Sequence, residues 1–421
     1  MLTLEENELI TRVGEGTPGG DLYRRYWLPL LLTEELTETQ NAPVPVRALG
    51  EDLVAFRDAS GTARVIGAYC PHRRTNLVYA RYEDCGLRCL YHGWVMDGEG
   101  RIAEMPNDSE GIAKGKISHR WCPTVEAGGL VWGYLGPPED QPPAPPMGWT
   151  NIPSSQLAVT KVRINCNFLQ CLEGGLDPSH AGSLHAGSLA KDETPDHPRS
   201  NTDMFELLVG NKAPTLDVEL MDIGMRIAAH RKVNENTDYI RITTWVAPWF
   251  SSVPEHEGVP RMINGFTPID DTSTWVWFIW YDPVQDLNVP ALKKASGIDN
   301  LGPGYQTHLN VGNQHLQDRV AMRENRSYSG ITGISNEDTA MQEAQGPIAN
   351  RTEEHLIKAD LAIIRMRQGL IQRVRDLQGG NLPTSRSEDI PYRFSQSASW
   401  TYPSEKHWQD GYAELRDNEP N

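Results

Sequence analysis

Hydrophobic and polar positions divide the chain into stretches of different period. At residues 3–13 acids alternate with Leu4, Leu9 and Ile10, which predicts a short helix, and the glycine-rich segment 14–20 breaks it. Apolar runs at 44–49, 53–57, 63–68 and 128–135 have the length and composition of strands. Loops rich in cysteine and histidine lie between the last two. Gly136-Pro137-Pro138-Glu139-Asp140-Gln141-Pro142-Pro143-Ala144-Pro145-Pro146 can be neither helix nor central strand, because proline lacks a donor and fixes φ. It predicts a boundary between a small β domain and the rest. A strand pattern resumes at 157–164, and 166–186 predicts a helix carrying several metal-competent side chains. Further strands are expected at 216–221, 224–231, 239–247, 260–266 and 273–281. The last third reads as helical: within 359–377, Ile363, Met366, Leu370, Val374 and Leu377 recur every three or four residues, and Gly379-Gly380 ends the run. No internal repeat is visible.

Composition sharpens this picture. With 421 residues, 38% of them hydrophobic, the chain can build two domains. Its 30 prolines and 37 glycines suit a strand-rich protein. The formal net charge is −17, and no basic patch interleaves with aromatic residues, which argues against nucleic-acid binding. An anionic substrate must therefore be held by a few local cations against the general field. The acidic start, Met1-Leu2-Thr3-Leu4-Glu5-Glu6-Asn7-Glu8, does not resemble a signal peptide, and no run of 18 apolar residues suggests a membrane span, so a cytoplasmic location is expected. Six cysteines in a large chain of this kind point to metal chemistry or buried thiols before disulfides.

Candidate chemistry begins with Cys70-Pro71-His72 and Cys89-Leu90-Tyr91-His92. Each half supplies one thiolate and one imidazole, the donor set of a two-iron, two-sulfur Rieske cluster. Zinc sites usually pair Cys with Cys and His with His across the two halves, whereas here both halves are mixed. Tyr91 is expected to donate a hydrogen bond toward a cluster sulfur or its cysteine, and Cys85 is expected to be a buried bystander thiol. A second group, Glu173, Asp177, His180 and His185, follows the linker. Two histidines and a carboxylate make the facial triad of non-haem Fe(II) oxygenases. Asp177 lies so close to His180 that it suits the role of hydrogen-bond partner to a metal-bound imidazole, and the third ligand need not be local.

These residues resemble the Rieske non-haem iron ring-hydroxylating oxygenases, most closely the phthalate dioxygenase branch. The likeness is carried by Glu6-Asn7-Glu8-Leu9-Ile10-Thr11-Arg12-Val13-Gly14, Arg24-Arg25-Tyr26-Trp27-Leu28-Pro29, Cys89-Leu90-Tyr91-His92-Gly93-Trp94, Leu172-Glu173-Gly174-Gly175-Leu176-Asp177-Pro178-Ser179-His180 and Gly346-Pro347-Ile348-Ala349-Asn350-Arg351. The resemblance implies an α+β protein: an N-terminal arm at 1–25, an antiparallel β Rieske domain at 26–140, and a helix-grip catalytic domain at 150–421 in which a large antiparallel sheet closes over a helix. It implies a Rieske cluster and a mononuclear Fe(II), a homotrimer or stacked hexamer, and an NAD(P)H-dependent flavin iron-sulfur reductase as electron donor. It implies that Asp177 links His92 of one chain to His180 of the next. It also implies a third iron ligand that is a distant aspartate with an acid five residues later. Asp338, followed by Glu343, fits best, with Asp318 and Glu337 as rivals.

Departures from the family pattern carry information too. Arg74-Thr75-Asn76 stands where many members have glycine, and Gly174 stands where many have asparagine, which is expected to leave room near iron. Of the two arginines that clamp phthalate in the family, one corresponds to Arg241 and the other falls at Leu207. Alternation along 239–246 puts Arg241, Thr243 and Trp245 on one face, so Arg241 is expected to hold a carboxylate and Trp245 to wall the aromatic ring. The expected reaction joins dioxygen and an aromatic monocarboxylate, by ring cis-dihydroxylation or by monooxygenation or O-demethylation. The competing readings are a Rieske electron-transfer protein with no oxygenase site and a zinc-binding structural module.

Overall fold

In the computed structural model, residues 1–37, 42–144, 147–187, 204–255, 259–383 and 397–417 are described. The arm begins with the helix Leu4–Thr11, capped at Thr3 by a reciprocal Thr3–Glu6 capping box. The break predicted after it is shorter than expected. A second helix, Pro18–Tyr23, starts inside the glycine-rich segment, with Thr17 as its cap and proline in the first turn, where no donor is lost. Its glycines permit close packing: a Cβ on Gly20 would lie 2.0 Å from the Gly14 carbonyl oxygen.

Two four-stranded antiparallel sheets follow. One joins Val44–Ala48, Glu51–Arg57, Ala63–Gly67 and Trp121–Cys122; the other joins Arg81–Glu83, Gly86–Arg88, Val95–Met96 and Ile102–Glu104. Val54, Phe56, Ile66, Leu87 and Met96 form a core of their own here, and Cys70 and Cys89 belong to it. A three-stranded sheet, with Leu130–Tyr134 between Trp27–Leu32 and Thr124–Ala127, packs into the main core. Trp27–Leu32 was not expected as a strand. It is buried along its whole length, and it tolerates Pro29 because the register slips between Pro29 and Leu31. The described residues of the proline-rich segment hold a short 3-10 turn, Pro138–Asp140.

The larger part is an eight-stranded antiparallel sheet. Its order is Leu157–Ile164, Ser273–Tyr281, Arg261–Asp270, Phe250–Val253, Thr237–Val246, Gly224–Asn234 and Thr215–Met221, with Ala398–Pro403 added alongside Thr237–Val246. The expected strands are all present: 157–164 and 273–281 keep their expected bounds, 216–221 and 224–231 are longer at one end, and 239–247 and 260–266 are shifted and lengthened; Phe250–Val253 and Ala398–Pro403 were not expected. The helix Phe168–Leu176 packs against four strands of this sheet, and the long helix Leu361–Gln378 against two others. Ala362, Ile363, Met366, Leu370, Ile371 and Val374 are the buried stripe of the long helix, and Gly380 ends it at φ 88°. This is the α+β, helix-grip arrangement. Glu173 ties the parts together: it accepts two hydrogen bonds from Arg351, both at 2.9 Å, and one from Arg367 at 2.6 Å, and Arg351 also donates to the Asn7 side chain of the arm. Among the described residues no helix is long and apolar enough to cross a membrane.

Candidate metal centres and substrate cavity

Two loops of one design bring the first constellation together. The amide four residues after each cysteine donates back to it: Arg74 N–H to the Cys70 carbonyl and Gly93 N–H to the Cys89 carbonyl, each at 2.9 Å. Closing the loop this way requires a left-handed residue at that position, and both comply, Arg74 at φ 60° and Gly93 at φ 74°. A non-glycine residue there costs roughly 1 kcal/mol. The Arg74 guanidinium offsets part of this by lying 4.7 Å over the Tyr69 ring.

Cys70 and Cys89 are buried, and the His72 and His92 rings stand edge to face with centroids 4.5 Å apart. The Nδ1 atoms of both histidines are buried without a partner. Burial pushes the Cys70 thiol up to about 11, so it stays protonated unless a metal takes the proton's place. Orphaned imidazole nitrogens beside buried thiols fit the mixed donor set of a Rieske cluster. His72 also stacks on Trp94 at 4.7 Å, which fixes the plane of its ring. Two expectations fail here. Tyr91 does not turn toward the cysteines: it is 54% exposed, lies against His92, and its hydroxyl accepts from Arg73 at 3.2 Å. Cys85 is exposed, because Asp84 and Cys85 form the tip of the hairpin joining Arg81–Glu83 to Gly86–Arg88.

The second constellation is not on one continuous helix. Helix Phe168–Leu176 stops at Asp177, which takes extended angles (φ −85°, ψ 113°) because the residue before a proline avoids the helical region. A short 3-10 turn, His180–Gly182, follows. His180 Nδ1 donates to the Asp177 carbonyl at 2.8 Å, while the Asp177 carboxylate accepts from Ser179 N–H at 2.8 Å and lies 3.7 Å from His180 Nδ1. His180 Nε2 is thus turned to the far side, toward His185 and Asp338.

Asp338 reaches this point from the helix Ile334–Ala344. Its Oδ1 lies 3.1 Å from His185 Nε2 and 3.6 Å from His180 Nε2, and one ligand atom from each of the three residues falls within 4.8 Å of the others. The neighbouring Glu337 faces the other side of His185, whose Nδ1 donates to it at 2.8 Å. Asp318 is elsewhere, capping the helix Arg319–Arg323. Glu343 accepts from the Asn165 amide. Burial works against a charged His185, yet Asp338 and Glu337 outweigh it and push its pKa up to about 10; Asp338, despite burial, is held below the usual carboxylate range by His185 and His180. A divalent cation replacing the imidazole proton would relieve the same charge imbalance. Two imidazoles and one carboxylate, each imidazole with its second nitrogen hydrogen-bonded, fit a mononuclear iron.

Asp177, His180, His185 and Asp338 all line a cavity of about 1680 Å³, counting its open mouth. Its walls include Phe266, Phe278 and Trp280, and its lining is mostly apolar. Arg241 also lines it, only 9% exposed, with its Nε buried and unpartnered among the described residues; burial lowers its pKa, and Tyr239 acts in the other direction. Trp245 does not wall this cavity. The alternation along the strand is right, but the long helix covers that end: Trp245 meets Gly369, and Arg373 lies 5.4 Å over its ring. Leu208 and Leu292 are on the lining, and Leu207 is not. Space left by Gly174 is partly taken by Gln342, whose Nε2 would sit 2.7 Å from a Cβ there.

Residues 26–124 match the family described as Rieske [2Fe-2S] domain, and residues 133–417 match LigXa C-terminal domain like. The chain is 38% identical to the phthalate 4,5-dioxygenase oxygenase subunit of Pseudomonas putida over 412 residues, covering 93% of this chain and 91% of the relative. It is 32% identical to the 3-chlorobenzoate-3,4-dioxygenase oxygenase subunit of Comamonas testosteroni, over 98% of each. The 5,5'-dehydrodivanillate O-demethylase oxygenase subunit of Sphingobium sp. is 30% identical over 92% of this chain and 84% of the relative. Among solved structures, dicamba monooxygenase bound to 3,6-dichlorosalicylic acid has the same fold, with a TM-score of 0.60 at 18% identity over 85% of this chain and 99% of that one. The chain therefore belongs to the Rieske non-haem iron oxygenases, as an oxygenase component containing a Rieske [2Fe-2S] domain and a mononuclear-iron catalytic domain. Within that family it stands in the phthalate dioxygenase-like branch. A free-standing electron-transfer protein is set aside, since most of the chain matches the catalytic domain.

Proposed function

We propose that the protein oxidises an aromatic monocarboxylate, with Arg241 as its anchor. The observation that carries this reading is an unpartnered guanidinium buried in an apolar cavity that opens onto His180, His185 and Asp338. A buried charge without a counterion is costly, and a substrate carboxylate supplies the missing anion in a planar, two-point pairing. Apolar Leu208 on the same lining disfavours a second carboxylate.

In this reading Cys70, His72, Cys89 and His92 hold the cluster, and His180, His185 and Asp338 hold the iron. When bound, the cluster relays single electrons and the iron activates dioxygen. The chain's own residues do the rest. Arg241 orients the ring, Phe266, Phe278 and Trp280 flank it and exclude water, and Glu337 retains the Nδ1 proton of His185 so that Nε2 is free to ligate. The family resemblance assigns Asp177 to bridge His92 of one chain and His180 of the next, which requires a homotrimer or stacked hexamer. It also assigns an NAD(P)H-dependent flavin iron-sulfur reductase as donor, which suits a cytoplasmic protein. The functional modules are 26–140 for the cluster and 150–421 for catalysis, with 1–25 as an arm. Relatives include both dioxygenases and an O-demethylase, so one or both oxygen atoms enter the substrate.

A screen of chlorobenzoates, phenoxybenzoates and methoxylated aromatic acids with isotopically labelled dioxygen tests substrate and oxygen count together. Arg241→Leu should raise KM for the preferred acid by the equivalent of about 2–4 kcal/mol. Equal turnover of the methyl ester by the parent protein would remove the carboxylate anchor.

A further inference from the structure

Arg231 stands on the strand Gly224–Asn234 directly across from Tyr239, and Tyr239 shares a sheet face with Arg241 two residues on. Arg231 is fully buried. Its Nη2 donates to the Pro178 carbonyl at 2.7 Å and its Nε to the Asn211 carbonyl at 3.0 Å. Three polar atoms in this group have no partner: Arg231 Nη1, the Tyr239 hydroxyl and Arg241 Nε. Neither guanidinium forms an ion pair among the described residues. Burial, and then the neighbouring charge of Arg241, push the Arg231 pKa down to about 10, while Asp177 acts the other way. Two like charges therefore lie near one another in a buried region, and the charge of Arg241 adds to the cost of burying Arg231 until an anion arrives.

Pro178 follows Asp177 directly and lies two residues before His180, so the Arg231 fork ties the turn that carries both, through Nη2, to Asn211, through Nε. We propose that Arg231 is a positioning residue that couples an anion held at Arg241 to the geometry of the 177–180 turn. This rests on Arg241 being the carboxylate anchor. An anion at Arg241 offsets the repulsion between the guanidiniums and strengthens the grip of the Arg231 fork on the Pro178 carbonyl. Asp177 and His180 are then held in place when substrate is present and are looser when it is absent. Arg231 touches neither substrate nor metal and acts through the turn.

Hydrogen exchange of the Ser179, Ser183 and Leu184 amides, all bonded within this turn, reports its order. It should be measured on the holoenzyme with and without 3-chlorobenzoate, alongside calorimetric Kd values. In the parent protein the acid should slow exchange at these amides at least tenfold. Arg231→Lys keeps the charge but loses the fork, so Kd should stay within about threefold while the added protection disappears. Arg241→Gln, without any acid, should slow exchange about threefold or more, because it removes the like charge and leaves Arg231 untouched. Protection in Arg231→Lys equal to that of the parent, or exchange in acid-free Arg241→Gln no slower than in the parent, overturns the coupling alone. A Kd for 3-chlorobenzoate that Arg241→Gln leaves unchanged overturns the anchor and the coupling together.

Discussion

Glu337 offers the sharpest test of how the iron site is built. Its carboxylate is 1% exposed, accepts from His185 Nδ1 at 2.8 Å, and accepts from the Ser329 hydroxyl on its other oxygen. Glu337→Gln keeps the volume and still offers one oxygen to His185. The Ser329 hydroxyl can accept as well as donate, so the amide is accommodated without an orphaned atom. What is lost is the negative charge that fixes the His185 tautomer and raises its basicity as a ligand. Loss of such a partner lowers metal affinity about 10- to 100-fold. That corresponds to roughly 1.4–2.7 kcal/mol. The assay is graded chelation of the mononuclear iron, with cluster absorbance as an internal reference for intact protein. The chelator concentration that strips half the iron should fall by one to two decades, and the cluster spectrum should not change. If the variant surrenders iron at the same chelator concentration as the parent, Glu337 merely fills space behind His185 and the account of the site is wrong.

Other expectations follow from the same geometry. His72→Cys should retain a coloured cluster with a lower midpoint potential, since a thiolate adds negative charge; an unchanged potential removes His72 from the ligand set. Asp338→Ala should lose mononuclear iron on metal analysis and keep the cluster spectrum, and full iron occupancy would remove Asp338 from the ligand set. Asp177→Asn should keep both metals but slow single-turnover reoxidation of the cluster by orders of magnitude, and normal rates would break the bridge. Glu173→Gln should destabilise the fold by about 3–5 kcal/mol at pH 7 in chemical unfolding. Burial acts to raise the Glu173 pKa, but Arg351 and Arg367 hold it below its ordinary value of 4.5, so its contribution is full above that pH and is lost as pH falls through the depressed folded value. A parent-to-variant difference that grows toward acid contradicts this sign.

The four residues proposed to hold the cluster could be picked out because each Cys–His pair lies in one short loop closed by its own turn. Six of the eight strands of the large sheet were legible in the sequence, while Phe250–Val253 and Ala398–Pro403 were not. What failed depended on neighbours that periodicity does not reveal. Alternation correctly put Trp245 on the face of Arg241, but not that the long helix covers that end of the strand. The pattern over 166–186 suggested one helix, although Pro178 was in plain view and forced Asp177 into extended angles. Asp338 was reachable through family resemblance. Glu337 was seen only as a rival ligand, because adjacent helical residues point about 100° apart and a sequence does not say which nitrogen of a distant histidine each will meet.

Net charge was the least informative guide to the site. The chain carries −17, yet its catalytic interior holds several buried arginines. What separates them is their partners. Arg351 and Arg367 converge on Glu173, and Arg367 also pairs with Glu354, so their charges are balanced within the fold and their role is to fasten the arm and the long helix to the helix Phe168–Leu176. Among the described residues, Arg241 has no such partner and Arg231 has only backbone carbonyls. A fold that keeps a guanidinium buried and unbalanced gives up stability that a leucine would have supplied. Such a residue therefore marks where the protein expects an anion from outside, and the strand carrying Arg241 is a stronger pointer to substrate chemistry than the acidic surface surrounding it.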